Sequence, residues 1–541
     1  MSRNTAEATF LDLETNYADQ FRPLLIASNQ AWWHANLTGL DEAFQAKRAA
    51  EDTIVELHAD QKIFTKLETL RNEGQINDPT LQRQLEVMYR IFLPGQADQT
   101  LQKQIVALEN DIERTFNNYR SNVDGELLSE NDIRAILTKS KDTVLVEKAW
   151  KAYMEVGSKT ASTLNEIVRL RNEQARQLGH NNFYHLQLFL QEIDENTLFK
   201  IFDDLDELTR DPFSKLKLEI DNTRSRRFGI KVSDLRPWHF GDLFFQNTPE
   251  SLDNLEDLVR NSDLPLLASN YYSSLGMDVS TILERSDLYE KKGKTPHAFE
   301  VDIDRSGDIR ILCNLKPNLR WMDTLLHELG HAVYDSHINP DLPFVLRTAS
   351  NAITTEGCAM MMGAMVKTAD FLDFVMGLES SAVEHLATDI QRNLQAEKLI
   401  FSRWTQVVTR FEKHMYANPS QNLNQLWWDL VEHYQGLIPP SGASRRPDYA
   451  AKIHVACYPA YYHSYMLGDL FAEQVSEHIA RNILGDITSG KSCFYGRLEA
   501  GNFLQKHIFA PGNLYSWNEL TQRATGDPLS AEAFARQHLE Q

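Results

Sequence analysis

Residues 325–334 read Leu-Leu-His-Glu-Leu-Gly-His-Ala-Val-Tyr, and His327, Glu328 and His331 within that run have the types and spacing of a metal centre. On an α-helix, positions i and i+4 lie on one face a turn apart, so both imidazoles can reach one cation. Imidazole nitrogen suits zinc, which in catalytic sites takes three protein ligands and keeps a fourth position for water. Glu328, beside the first histidine, can accept that water's proton. The bland alternative is a chance pattern on a surface helix, in a chain that holds 17 histidines. The flanking Leu325, Leu326, Leu329, Ala332 and Val333 argue against it, because they predict a buried helix where charge needs a partner. No further histidine follows His331 at the spacing of a three-histidine site. Glu356, in Ile-Thr-Thr-Glu-Gly-Cys-Ala-Met-Met-Met, opens a second apolar helical stretch and is the candidate third ligand of a His2Glu site.

The rest of the chain must position these groups, and most of it reads as helix. From Leu11 to about Glu109 apolar residues recur at three-, four- and seven-residue spacing, among them Leu24, Leu25, Trp32, Trp33, Leu37, Ile54, Leu57, Phe64, Leu67 and Leu70. Residues 143–180 and 379–415 behave alike. The heptads are too irregular for a coiled coil, and there is no repeat, low-complexity tract or Pro/Gly-rich linker. The expectation is a single mainly α body over residues 1–541, with two lobes. One segment departs from the helical period. In residues 297–315, Phe299, Val301 and Ile303 alternate with polar residues, as do Ile309, Ile311 and Cys313, around the turn chemistry of Asp304-Arg-Ser-Gly-Asp308. This predicts a β-hairpin a dozen residues before the metal motif.

The bulk numbers exclude some functions. The 541 residues are 42% hydrophobic and 24% charged, with a net charge of -21. Such an acidic chain disfavours nucleic acid or an anionic membrane as partner. No stretch approaches the roughly 18 apolar residues of a membrane span. The first residues show neither a signal-peptide core nor an Arg-rich leader. The expected location is cytoplasmic, or secreted or periplasmic if a leader has been removed. Four cysteines, Cys313, Cys358, Cys457 and Cys493, are widely spaced and form no CxxC pair, which argues against a cysteine metal site.

Taken together, the residues resemble the angiotensin-converting-enzyme family of peptidyl-dipeptidases, and more distantly the thimet-type and F-type oligopeptidases. Phe10-Leu-Asp-Leu and Ala31-Trp-Trp-His-Ala-Asn-Leu-Thr resemble the family's first helices, and residues 148–183 its middle ones. More specific are Gly241-Asp-Leu-Phe-Phe-Gln246, His297-Ala298, the run His327 to His331, Leu346-Arg347 ahead of Glu356, Tyr434-Gln-Gly-Leu-Ile-Pro-Pro440 and Lys452-Ile-His454. The resemblance implies a large two-lobed helical metallopeptidase. It would have a deep central cleft, lid helices over about residues 1–120, a catalytic core over about 290–470 and a small hairpin beside the zinc. It implies one zinc per chain on His327, His331 and Glu356, with Glu328 as general base and peptides as substrates. His297 and Ala298 would lie on the edge strand that pairs with substrate backbone. His454 and Tyr465 would stabilise the oxyanion. Gln246, Lys452 and Tyr462 would hold the C-terminal carboxylate, which makes the products dipeptides.

This sequence departs from the family pattern in four places. The loop between His454 and the tyrosines differs by a residue, so Tyr461 competes with Tyr462 for one register. Met360 stands where converting enzymes place an acid four residues after the glutamate ligand, which leaves Asp323 as a candidate to orient a histidine. Pro296 replaces a cysteine before the His-Ala strand, so Cys313 should be free. Ser464 stands before Tyr465 where converting enzymes carry an arginine that helps bind an activating chloride, and His463 is the nearest residue able to supply a charge. Two other functions remain to be weighed. One is an oligoendopeptidase with no need for a free C-terminus. The other is a catalytically idle helical receptor or scaffold, against which stands the retention of all three ligands and the base.

Overall fold

A computed structural model describes residues 4–249, 262–485 and 493–539. It is 71% helical, with two small antiparallel hairpins. The elements that matter for function are α1 (Thr5–Thr38), α2 (Thr143–Gln177), α3 (Leu319–Ser336), α4 (Ala352–Ala364) and α5 (Tyr462–His478). The hairpins are β1 (Ser121–Val123) with β2 (Glu126–Leu128), and β3 (Phe299–Asp302) with β4 (Ile309–Leu312). Among the described residues no helix is long and apolar enough to cross a membrane.

The helical N-terminal stretch is divided into five helices between Thr5 and Asn118. Local chemistry makes the breaks. Gly39 and Gly74 end helices in the left-handed region, at φ 65° and 61°. Asp60, Asp78 and Asp98 each cap the helix that follows through a side-chain oxygen.

The chain forms two compact units, each assembled from three stretches. The first comprises Met1–Gln96, Asp253–Ile390 and Leu467–Ala533. Its centre is the packing of α3 on α4. Asn318 and Asn351 cap these helices through their side chains. Leu325, Leu326, Leu329, Ala332 and Val333 of α3 have no exposed surface, as their apolar run predicted. Each large side chain so buried contributes about 1.5–3 kcal/mol. Gly330 lets the helices touch, since a Cβ there would come within 2.8 Å of Ala359 Cα. Gly357 does the same on another face of α4, against Phe471 and the Gly468 carbonyl.

In the same unit, β3 pairs with β4 in the register Phe299↔Leu312 to Asp302↔Ile309. Side chains alternate across this ribbon. Val301, with Phe299 beside it, faces α1, where Trp33 and Trp32 cover it; the Trp32 and Phe299 ring centroids are 4.0 Å apart. Glu300 therefore faces the other way, toward α3. Cys313 just beyond β4 is buried and free, as the replacement by Pro296 implied.

The second unit comprises Ala97–Leu252, Gln391–Met466 and Phe534–Gln541. Helix α2 organises two distant loops within it. Trp150 Nε1 donates to the Leu243 carbonyl at 2.9 Å, and Thr160 Oγ1 donates to the Ala450 carbonyl at 2.8 Å. Gly157 admits the Pro447 carbonyl so closely that a Cβ would lie 2.4 Å from its oxygen. The segments leading to Gln246 and to Lys452 are thereby fixed to one helix.

Candidate metal centre and carboxylate clamp

Helices α3 and α4 bring the three expected ligands together. The donor atoms of His327, His331 and Glu356 lie within 4.8 Å of one another, the one such group among the described residues. Glu356 Oε2 is 3.7 Å from His327 Nε2 and 3.8 Å from His331 Nε2. Four ligands at zinc distances of about 2.0–2.1 Å in a tetrahedron sit about 3.4 Å apart, so the set fits a zinc ion with little adjustment. Thr355, the residue before the carboxylate ligand, places its hydroxyl 2.7 Å from His331 Nδ1. With the proton on Nδ1 donated to that hydroxyl, the Nε2 lone pair is left to face a cation. Sequence reasoning missed Thr355. The signal, a hydroxyl beside the third ligand, acquires meaning only when α3 and α4 are docked. Asp323, one turn before His327, pairs with Lys367 at 3.7 Å, and at His331 the neighbouring group is Thr355.

Burial governs the electrostatics. Desolvation pushes His327 down to about 4 and His331 to about 3, the latter helped by His327, so both rings are neutral and free to donate lone pairs. Glu328 is raised to about 8, first by burial and then by Glu356, against a lowering hydrogen bond from the Glu300 backbone N–H. Glu356 is also raised by burial. A set of neutral imidazoles and strained carboxylates converging on one point is what a divalent cation relieves.

The Glu300 hydrogen bond follows from the hairpin. Ile311, opposite Glu300, uses its N–H on Ser286 Oγ and its carbonyl on the Asp287 N–H, both away from β3. Glu300 and Ile311 thus form a non-hydrogen-bonded pair, and the Glu300 N–H and C=O point outward from the free edge of β3. His297 is exposed and, with Ala298, precedes the strand, which begins at Phe299 rather than at 297.

The second unit holds the other expected residues. Lys452 Nζ donates to Gln246 Oε1 at 2.9 Å, and the Tyr462 hydroxyl donates to the same oxygen at 3.2 Å. These contacts select Tyr462 over Tyr461, which stacks edgewise on Tyr465 instead. Gln246 is aimed by a sharp turn in which Phe245 takes φ 50° and Asp242 accepts the Gln246 N–H at 3.0 Å. Lys452 is 6% exposed, with its ammonium 5.3–5.4 Å from the ring centroids of Phe244, Trp404 and Tyr462. Burial lowers it to about 8, partly offset by Asp242. Among the described residues no carboxylate bonds to it directly: Asp242 pairs with Arg134 at 2.8 Å. A desolvated ammonium flanked by an amide and a phenol is suited to bind a carboxylate. His454 lies beside this group, its ring 5.3 Å from that of Tyr462, and is lowered to about 4 by burial and then by Lys452. Tyr465 follows on α5, 5.5 Å from Tyr462.

His463 does not supply the charge considered for it. It is wholly buried, lowered to about 3, and its Nε2 meets Gln191 Oε1 at 3.0 Å. A histidine held that low stays neutral at any working pH.

The sequence matches the family model described as angiotensin-converting enzyme (peptidase M2) over residues 3–212 and 256–537. It is 24% identical over 446 residues to the angiotensin-converting enzyme of Bos taurus, covering 75% of this chain and 33% of that protein. The Rattus norvegicus enzyme gives 24% over 438 residues, with the same coverage. The angiotensin-converting enzyme-like protein Ace3 of Mus musculus gives 22% over 445 residues, 75% of this chain and 59% of its own. The chain thus spans a third to three fifths of the length of these relatives.

Proposed function

Because the chain belongs to the angiotensin-converting-enzyme family, we propose that it is a zinc metallopeptidase that releases dipeptides from the C-termini of peptides. The observation that carries this is the convergence of His327, His331 and Glu356 on one point with Glu328 beside them. Zinc held by these three ligands would supply Lewis acidity, acidifying a water and polarising the scissile carbonyl.

The chain's own groups do the rest. Glu328, steadied by the Glu300 N–H, takes the proton of the attacking water and passes it to the leaving amine. The free edge of β3, at the Glu300 carbonyl and at His297 and Ala298 before it, pairs with the substrate main chain, giving affinity with little side-chain selection. His454 and Tyr465 are the groups assigned to the developing oxyanion. The cluster of Lys452, Gln246 and Tyr462 supports the dipeptide product. A charge-assisted bond from Lys452 to the terminal carboxylate contributes about 1.5–3 kcal/mol, so peptides whose terminus reaches it are favoured.

The test is elemental and kinetic. Purified protein should hold about one zinc per chain and lose activity to a chelator. Glu328→Gln should keep the metal and lose turnover by a factor of the order of 1,000 or more, the scale of a general base. A Glu328→Gln enzyme with wild-type turnover, or active protein without zinc, overturns the reading.

A further inference from the structure

Three acidic side chains gather between the β3–β4 hairpin and α3: Glu300, Asp302 and Asp335. They do not share the available partners equally. Asp302 Oδ1 accepts the backbone N–H groups of Asp304 and Arg305, at 3.2 and 2.8 Å. Arg305, half-buried beside the rings of Phe21 and Phe344, is attracted to both Asp302 and Asp335. Glu300 receives nothing. Its Oε1 is buried without a hydrogen-bond partner among the described residues. Every neighbouring charge that acts on it, Asp335, Asp302 and Glu328, is negative. Burial and these three charges hold the Glu300 carboxyl well above the usual carboxylate range, so it is kept neutral until a cation joins it.

The place of Glu300 indicates where such a cation comes from. Its side chain lies on the α3 face of β3, and its own N–H holds Glu328. It therefore stands level with the catalytic base, within reach of the residues next to the cut bond. This rests on the peptidase reading above. On the amine side of that bond the substrate ends in the carboxylate given to Lys452, which a second carboxylate would repel. The acyl side has no such constraint.

We propose that Glu300 is a specificity-determining residue that selects peptides with an arginine or lysine at one of the two positions preceding the cut bond. The substrate cation takes the place of the partner that Glu300 lacks in the free enzyme. Asp335 and Asp302 behind it raise the local negative potential, so the site rejects acidic residues there as well.

The experiment uses N-acylated peptides that differ only at those two positions, carrying arginine, lysine, norleucine or glutamate. At one of the two positions the wild-type enzyme should show kcat/KM for arginine or lysine above norleucine by roughly tenfold or more, as a charge-assisted bond implies. In Glu300→Gln that ratio should fall toward one, and in Glu300→Lys glutamate should become the preferred residue. No preference at either position overturns the proposal, as does the same preference in the variants. An equal loss for every peptide in Glu300→Gln also overturns it, since Glu300 would then act through Glu328. Failure of the wild-type enzyme to cut any peptide is a different outcome, which removes the peptidase reading and this inference with it.

Discussion

Three side chains, Lys452, His463 and Ser464, govern distinct pH and salt responses. Lys452 is lowered to about 8 by burial, with Asp242 and Glu130 raising it, Arg134 lowering it and His454 close by. Below that value the ammonium is present; above it the charge is lost. For an N-acylated substrate, whose only terminal charge is the carboxylate, kcat/KM should be level near pH 7 and fall with a limiting slope of about tenfold per pH unit above pH 8. Lys452→Ala should lack that limb and raise KM roughly ten- to a hundredfold. An alkaline limb that survives in Lys452→Ala would assign it to another group. Ser464 and the neutral His463 bring no cation to the position before Tyr465. Chloride should therefore give no specific rise in kcat/KM over acetate at equal ionic strength; a many-fold rise with chloride alone would mean that another residue supplies the charge.

The spacing of α3 and α4 sets the metal centre at the scale of elements. Gly330 lies inside the motif, between the base and the second histidine, and its missing Cβ is what admits Ala359. Gly330→Ala gains helix propensity of up to about 1 kcal/mol, yet it meets backbone that cannot rotate away, at a cost of about 1–3 kcal/mol. The helices must part, and Glu356 recedes from the histidines. Zinc affinity should fall of the order of tenfold or more, measured by competition with a chromophoric chelator. Unchanged affinity would show that Glu356 is positioned independently of the Gly330 contact. What the sequence revealed follows from the same geometry. His327 and His331 are legible because helical periodicity alone puts i and i+4 together, and the hairpin because two alternating runs flank a turn. Thr355 and the unpartnered Glu300 are not, since each gains its role from an element packed against it. The breaks at Gly39, Asp60, Gly74 and Asp78 left signals, but apolar periodicity runs through them and hid the caps.

At the scale of the whole molecule, the two groups of functional residues are built by different means. The metal centre comes from neighbouring helices and is nearly local in sequence. The clamp joins Gln246 to residues 206 and 216 positions away, and no periodicity could pair them; only the resemblance did. In the proposed reading, chemistry from one group and anchoring from the other make a peptidyl-dipeptidase, so the products of a single peptide test the account most directly. A decapeptide with a free C-terminus, and the same peptide amidated, are incubated with zinc-loaded enzyme and followed by mass spectrometry. The account predicts successive loss of C-terminal dipeptides from the free peptide and cleavage of the amidated one slower by about tenfold or more. Internal cuts at equal rates in both would contradict it.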